Sequence, residues 1–223
     1  MSTFAVRIKL FYVIISKMQE INYKEMKFNP FNLIGDEWML VTAGNEQSGC
    51  NTMTASWGHL GCLWGHNDPT AVIYLRPSRY TKKFVDEEPY FTLCVMDKSF
   101  KKQMAYLGST SGRDEDKIAK TGLTPVYADN SVYFQEAKLV LVCKKMYASE
   151  LQESGFLYQE TIDENYPQRD FHVHSRDGSY CVITYLSIAN RCFFKIKCHL
   201  SPNKQHLIEL TLHSPAALTQ LSL

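Results

Sequence analysis

Asn51-Thr52-Met53-Thr54-Ala55-Ser56-Trp57-Gly58, followed further along by Arg76-Pro77-Ser78-Arg79-Tyr80-Thr81, is the stretch on which the reading of this chain turns. The first segment is small and hydroxyl-rich, with a backbone that a flat ligand can approach closely. The second brings two guanidinium groups and the hydroxyls of Ser78 and Thr81 to a strand end followed by a helix start. Guanidinium forks match phosphate oxygens two at a time, and a helix N-terminus adds N–H donors and a positive dipole. As an ordered pair, the segments describe a site for a planar, phosphorylated cofactor. Each alone has a plainer reading: a tight turn whose hydroxyls satisfy local backbone groups, and a helix cap beside two solvated arginines.

Around this pair the chain reads as strands. Residues 37–43, 70–75, 90–96 and 138–143 are short, bulky apolar runs bounded by turn residues. Residues 44–49 and 65–69 supply loops between them. Three helices interrupt the pattern. Ser78 is expected to cap one reaching Glu87, and Ser99 a second over 100–107 that Gly108 ends. Phe100, Met104 and Leu107 then share a face. The third is expected over 113–121, closed by Gly122, with Asp116 and Lys120 paired on its surface. The sum is a mainly β barrel with flanking helices.

The two motifs, with three more in order, resemble the flavin reductase-like family. The others are Ser111-Gly112-Arg113-Asp114-Glu115-Asp116-Lys117, Thr121-Gly122-Leu123-Thr124-Pro125-Val126-Tyr127 and Phe134-Gln135-Glu136-Ala137-Lys138-Leu139-Val140-Leu141. The resemblance spans roughly residues 27–172 and implies a Greek-key split β-barrel that binds FMN. By it, main-chain groups of Thr54, Ala55, Ser56 and Trp57 meet the polar edge of the isoalloxazine ring, with Met53 in the same run. Asn51 and Thr52 would help hold the ribityl chain and phosphate. Arg79, Ser78 and Thr81 converge on the phosphate, flanked by Tyr80 and by Arg76, which could equally serve a dimer or the loop. Ser111, Gly112 and Arg113, with Lys117, form a second contact to the flavin from the neighbouring subunit.

The implied activity is that of an FMN-dependent NAD(P)H oxidoreductase, homodimeric, passing electrons to an unspecified small-molecule or protein acceptor. Hydride moves between nicotinamide and flavin, so no catalytic side chain is assigned. The rival reading is a non-enzymatic barrel that stores or senses FMN. A related barrel acting on pyridoxine phosphate or haem shares the phosphate logic.

Bulk properties suit a soluble globular protein of one domain or two small ones. The chain has 223 residues, 45% hydrophobic and 21% charged, with a net charge of +1 that gives no reason to expect nucleic acid or an anionic membrane. Seven cysteines without a regular framework indicate reduced thiols and a cytoplasmic setting. Domain limits are drawn at 1–26, an extension without function, 27–190, the barrel, and 191–223, an atypical tail. The apolar run within residues 4–15 is too short to span a bilayer and lacks a cleavage pattern; Met18 or Met26 reads as the natural start. Family members continue from a Tyr-Pro-x-x-Asp-aromatic-His segment, here Tyr166-Pro167-Gln168-Arg169-Asp170-Phe171-His172, into another strand. Residues 179–186 can form one, but 191–223 show no clear periodicity and read as a shifted frame or alternative end. His172, His174, Cys192, Cys198, His199, His206 and His213 lack zinc-site spacing, and Cys50 reads as an inert small residue.

Overall fold

A computed structural model describes residues 11–63, 69–128, 130–149, 151–167, 181–200 and 206–212, with side chains described over 21–63, 69–128, 130–149 and 151–167. In chain order the first elements are β1 (Phe11–Glu20), β2 (Met39–Asn45), β3 (Gly49–Ala55), β4 (Gly58–Cys62) and β5 (Pro69–Tyr74). Then come α1 (Thr81–Glu87), β6 (Tyr90–Val95), α2 (Lys101–Ser109), α3 (Lys117–Thr121), β7 (Pro125–Ala128) and β8 (Ser131–Phe134). The last are β9 (Leu139–Ser149), α4 (Gln159–Asn165), β10 (Cys181–Leu200) and β11 (His206–Leu212). Two units are distinct: Glu20–Ala189, and Met1–Gln19 together with Asn190–Leu223. No helix among the described residues is long and apolar enough to cross a membrane.

The larger unit is built on an antiparallel sheet in the order β3-β2-β6-β9-β10-β5-β4. Its middle strands are covered on both sides, which is why they read as unbroken apolar runs rather than alternating ones. Val41, Ala43, Phe91, Leu93, Val95, Leu141 and Cys143 enter one core together with Ala71, Ile73 and Phe84. The intervening residues Leu40, Thr42, Thr92, Cys94 and Val140 are equally buried. Over that second face lies the β7–β8 hairpin, where the Thr92 hydroxyl donates to the Val132 carbonyl at 2.6 Å. Ile21, Tyr23 and Met26, which the sequence reading assigned to the N-terminal extension, also pack on the core.

The helices differ from expectation at their starts. Residues 76–79 make a turn in which the Arg79 N–H donates to the Arg76 carbonyl at 3.0 Å. Pro77 at its second position favours that turn over a helical start, so α1 begins only at Thr81, with Tyr80 and not Ser78 at the cap. A 3-10 turn at Lys98–Phe100 precedes α2, and Ser99 lies within it. Met104 and Leu107 are buried as expected, but the helix runs through Gly108 to Ser109. Gly108 packs closely there: a Cβ would sit 3.1 Å from the Cβ of Thr54 on β3, tighter than ordinary contact. In α3, Asp116 is the cap and accepts from the Ala119 N–H at 3.0 Å. Lys120 pairs with Glu115 instead of Asp116, because the cap already occupies the Asp116 carboxylate. Gly122 does end α3, at φ 70°.

In the smaller unit, β1 pairs with β10, and β10 forms an antiparallel pair with β11. Phe194 stands opposite Leu212, Ile196 opposite Leu210 and Cys198 opposite Ile208. An alternation was present in the sequence: positions 192, 194, 196, 198 and 200 are apolar, with Arg191, Lys195, Lys197 and His199 between them. That period of two is a strand signature, obscured by Phe193 and by short polar interruptions.

Phe91 has no exposed surface. Its replacement by Ala should cost about 3–5 kcal/mol of unfolding free energy, read from urea denaturation. A loss below about 1 kcal/mol would place Phe91 outside the core just described.

Candidate functional site

The strand order carries a topological consequence. β3 and β4 stand at opposite ends of the sheet, yet only Ser56 and Trp57 separate them in sequence. The sheet must therefore curl until its two edges meet at one corner without pairing. β3 bonds to β2 on one side, from Met39 opposite Ala55 to Asn45 opposite Gly49. Every second residue of such an edge strand turns its N–H and C=O away from its partner. At this seam lies a cavity of about 340 Å³, walled by Met53, Thr54, Ala55, Ser56 and Trp57 from the corner. Tyr74, Leu75, Arg76 and Arg79 from the end of β5 and its following turn, with Tyr166, complete it.

The three expected motifs converge beside this cavity. Arg79 donates to the Gly108 carbonyl at 2.8 Å, and Arg113 donates to the Ser78 carbonyl at 3.0 Å, so each segment holds the other. The Arg113 guanidinium also lies 4.9 Å from the centre of the Tyr80 ring. Gly112 is where the loop touches the barrel: a Cβ there would fall 2.3 Å from the Asn51 side-chain oxygen. Only a residue without a side chain allows that approach. Asn51 in turn donates to the Thr81 hydroxyl at 3.0 Å.

Lys117 sits behind the clasp, 4% exposed. Its ammonium donates to the carbonyls of Leu107 and Thr110, each at 2.8 Å, and so caps the C-terminal end of α2. Burial lowers its pKa to about 8, and the nearby Arg79 charge adds to the effect. A cation whose charge is disfavoured by burial and by a neighbouring arginine is one that an anion would stabilise.

Not every expected residue faces the cavity. Thr52 is fully buried, its hydroxyl donating to the Val41 carbonyl at 3.1 Å and 2.8 Å from that of Thr42. Asn51 and Thr81 are buried and bonded to each other. Ser111 accepts from the Arg113 N–H at 3.2 Å and stiffens the turn. The Thr54 hydroxyl is engaged by the Met104 carbonyl, leaving its main chain at the cavity. Ser78 is exposed and contributes its carbonyl. Tyr80 packs edge-on against Phe84, 5.3 Å away. Trp57 is 48% exposed, which places it on the rim and not in the core.

Tyr74, Leu75, Tyr166 and the Gly108 carbonyl were not foreseen. The Tyr-Pro segment was the available signal for Tyr166; a backbone carbonyl leaves none. A second, wider groove of about 710 Å³ lies along Cys50, Asn51, Tyr80, Gly112, Lys117 and Tyr127. There burial pushes the Cys50 thiol pKa up, which disfavours the reactive thiolate. Among the described residues no three His, Cys, Asp or Glu side chains group as metal ligands. Trp64, His172, His174 and His213 lie outside the described residues, as do the side chains of Cys192, Cys198, His199 and His206.

The sequence matches the Flavin reductase like domain over residues 32–180. Comparison with curated protein sequences gives no match. Among solved structures, the chain is similar to an FMN-binding domain of a flavin reductases-like enzyme from Shewanella baltica OS155. The identity is 12%, 87% of this chain and 95% of that one are covered, and the TM-score is 0.53. Flavoredoxin of Desulfovibrio vulgaris (Miyazaki F) is similar at 17% identity, 82% and 91% coverage and a TM-score of 0.51. Flavoredoxin from Methanosarcina acetivorans is similar at 16% identity, 87% and 96% coverage and a TM-score of 0.51. At such identities the likeness is one of fold, the mainly β split barrel with flanking helices. Matched over well more than half of its length, the chain belongs to the flavin reductase-like domain family.

Proposed function

We propose that this chain is an FMN-dependent NAD(P)H oxidoreductase of the flavin reductase type. The observation that carries the reading is the edge of β3, which no described strand pairs on its outer side, lining a cavity together with Arg79. A flavin needs both halves of that arrangement: main-chain donors and acceptors for the polar rim of its ring, and cations for its phosphate. Bound FMN supplies the hydride chemistry, accepting electrons from the nicotinamide and releasing them to an acceptor.

The chain's own part is to bind, orient and shield. The outer N–H and C=O groups of Met53–Trp57 hold the ring edge in register. Arg79 keeps one donor on Gly108 and turns the rest of its fork to the phosphate. Arg113 fixes the turn that aims Arg79, and Lys117 adds positive potential from behind. Met53, Leu75 and Tyr166 give the cavity apolar walls that keep water from the ring. A homodimer belongs to this reading, since no described strand pairs with the outer edges of β3 and β4 and such edges favour a covering partner. So does a cytoplasmic setting, in keeping with free thiols at Cys50, Cys62, Cys94 and Cys143. The acceptor is a small molecule or a redox protein.

Three outcomes follow. Purified protein given FMN should show a bound-flavin visible spectrum that bleaches within seconds on anaerobic addition of NADH or NADPH; a folded chain that takes up no flavin sinks the proposal. Arg79→Ala should weaken FMN binding by about 2 kcal/mol, close to thirtyfold, as followed by flavin fluorescence, while unchanged affinity in a folded variant removes Arg79 from the phosphate site. The third concerns pH. Phosphate favours charged Lys117, whose pKa in the flavin-free protein is about 8. Affinity should therefore be full below that pH and fall as pH rises through it. Lys117→Met should lose that slope; if the variant keeps it, another group titrates.

A further inference from the structure

Arg76 and Arg79 are the charged residues that line the cavity, and no carboxylate joins them there among the described residues. The two arginines are held at different places. Arg79 is exposed and tied to the Gly108 carbonyl near the end of α2. Arg76 is half-buried. Its guanidinium lies 5.7 Å from the centre of the Trp57 ring and 5.5 Å from that of Tyr166. It also donates to the carbonyl of Asn165, the last residue of α4, at 3.1 Å. Aromatic faces and a helix C-terminus both attract a cation, so these contacts fix where the charge stands.

Its place matters for the redox chemistry. On the flavin-binding reading above, the main chain of Met53–Trp57 meets the polar rim of the ring. Trp57 ends that run and Arg76 stands beside it, whereas Arg79 serves the phosphate. A hydride brings two electrons and one proton to a neutral ring. The reduced ring therefore carries one negative charge until a second proton arrives, and that charge rests on the electronegative atoms of the polar rim. A positive charge fixed beside the rim favours the reduced ring over the oxidised one. A half-buried cation acts more strongly there than an exposed one, because water and salt screen it less.

We propose that Arg76 raises the reduction potential of the bound flavin, acting as a fixed charge beside the ring and not as a phosphate ligand. The proposal rests on the flavin-binding reading. Trp57, Tyr166 and the Asn165 carbonyl are the groups that keep the guanidinium in position. Arg79 and Arg76 thus divide the work: one holds the phosphate, and the other favours the charge that hydride transfer leaves on the ring.

The test is the two-electron midpoint potential of FMN bound to the full chain, measured by equilibration with a reference dye. Arg76→Gln and Arg76→Met remove the charge, and Arg76→Lys keeps it without the guanidinium plane. In the two neutral variants the potential should fall by at least about 30 mV, the shift given by a tenfold loss of affinity for reduced relative to oxidised flavin. The Lys variant should stay nearer to wild type than to the neutral pair. An unmoved potential in flavin-loaded neutral variants overturns the proposal, because a lost phosphate contact weakens oxidised and reduced FMN alike. A Lys variant that falls as far as Gln and Met overturns it too, since the effect then follows shape and not charge. A folded wild-type chain that takes up no FMN overturns the reading beneath and the proposal with it. Flavin bound at an unmoved potential overturns the proposal alone, so the two failures are told apart.

Discussion

A sheet that curls but does not close is the constraint from which the rest follows. β3 and β4 are successive in the chain and lie at opposite ends of the strand order, with only Ser56 and Trp57 between them. A hairpin there would have paired them, satisfied both edges and left no site. Instead no described strand takes up the outward N–H and C=O groups of β3, and leaving such a main-chain edge unsatisfied in a buried site is expensive. A ligand whose rim alternates donors and acceptors answers that need, and so the site lies at the seam.

The cationic side of the cavity is built by mutual restraint. Arg79 and Arg113 each spend a donor on a carbonyl of the other's segment, and Lys117 spends two on the end of α2. Repulsion between Arg79 and Lys117 is offset by the carbonyls at the end of α2 that both of them bond, which holds these charges still before any anion arrives. Preorganisation of this kind lowers the ordering cost of binding. Gly108 and Gly112 let the α2 end and its following loop approach β3.

Much of this was legible in the sequence. The middle strands announced themselves because residues such as Val41, Phe91, Leu93 and Leu141 are buried in long apolar runs, and burial is what such runs encode. The motifs could be found in order because ligand contact through main chain and arginine selects recognisable residues. Direction of side chains was not legible. Asn51 and Thr52 read as ligands; the Thr52 hydroxyl bonds the buried Val41 carbonyl, while Asn51 bonds Thr81 at the edge of the wider groove, since a hydroxyl or amide serves a buried hydrogen bond as well as a phosphate. Ser78 read as a cap because Ser caps helices, but Pro77 set a turn one step earlier. Gly108 read as a stop signal, whereas it lies within α2 and packs closely on Thr54. Tyr166 and the carbonyls that orient Arg76 and Arg79 depend on tertiary proximity, which no local pattern records.

The central claim is that flavin occupies the seam. Amide hydrogen exchange with and without FMN tests it most directly. The account predicts new protection at Met53–Trp57 and over residues 76–81. Protection confined to the wider groove along Cys50, Leu123 and Tyr127, or none at saturating FMN, would contradict it.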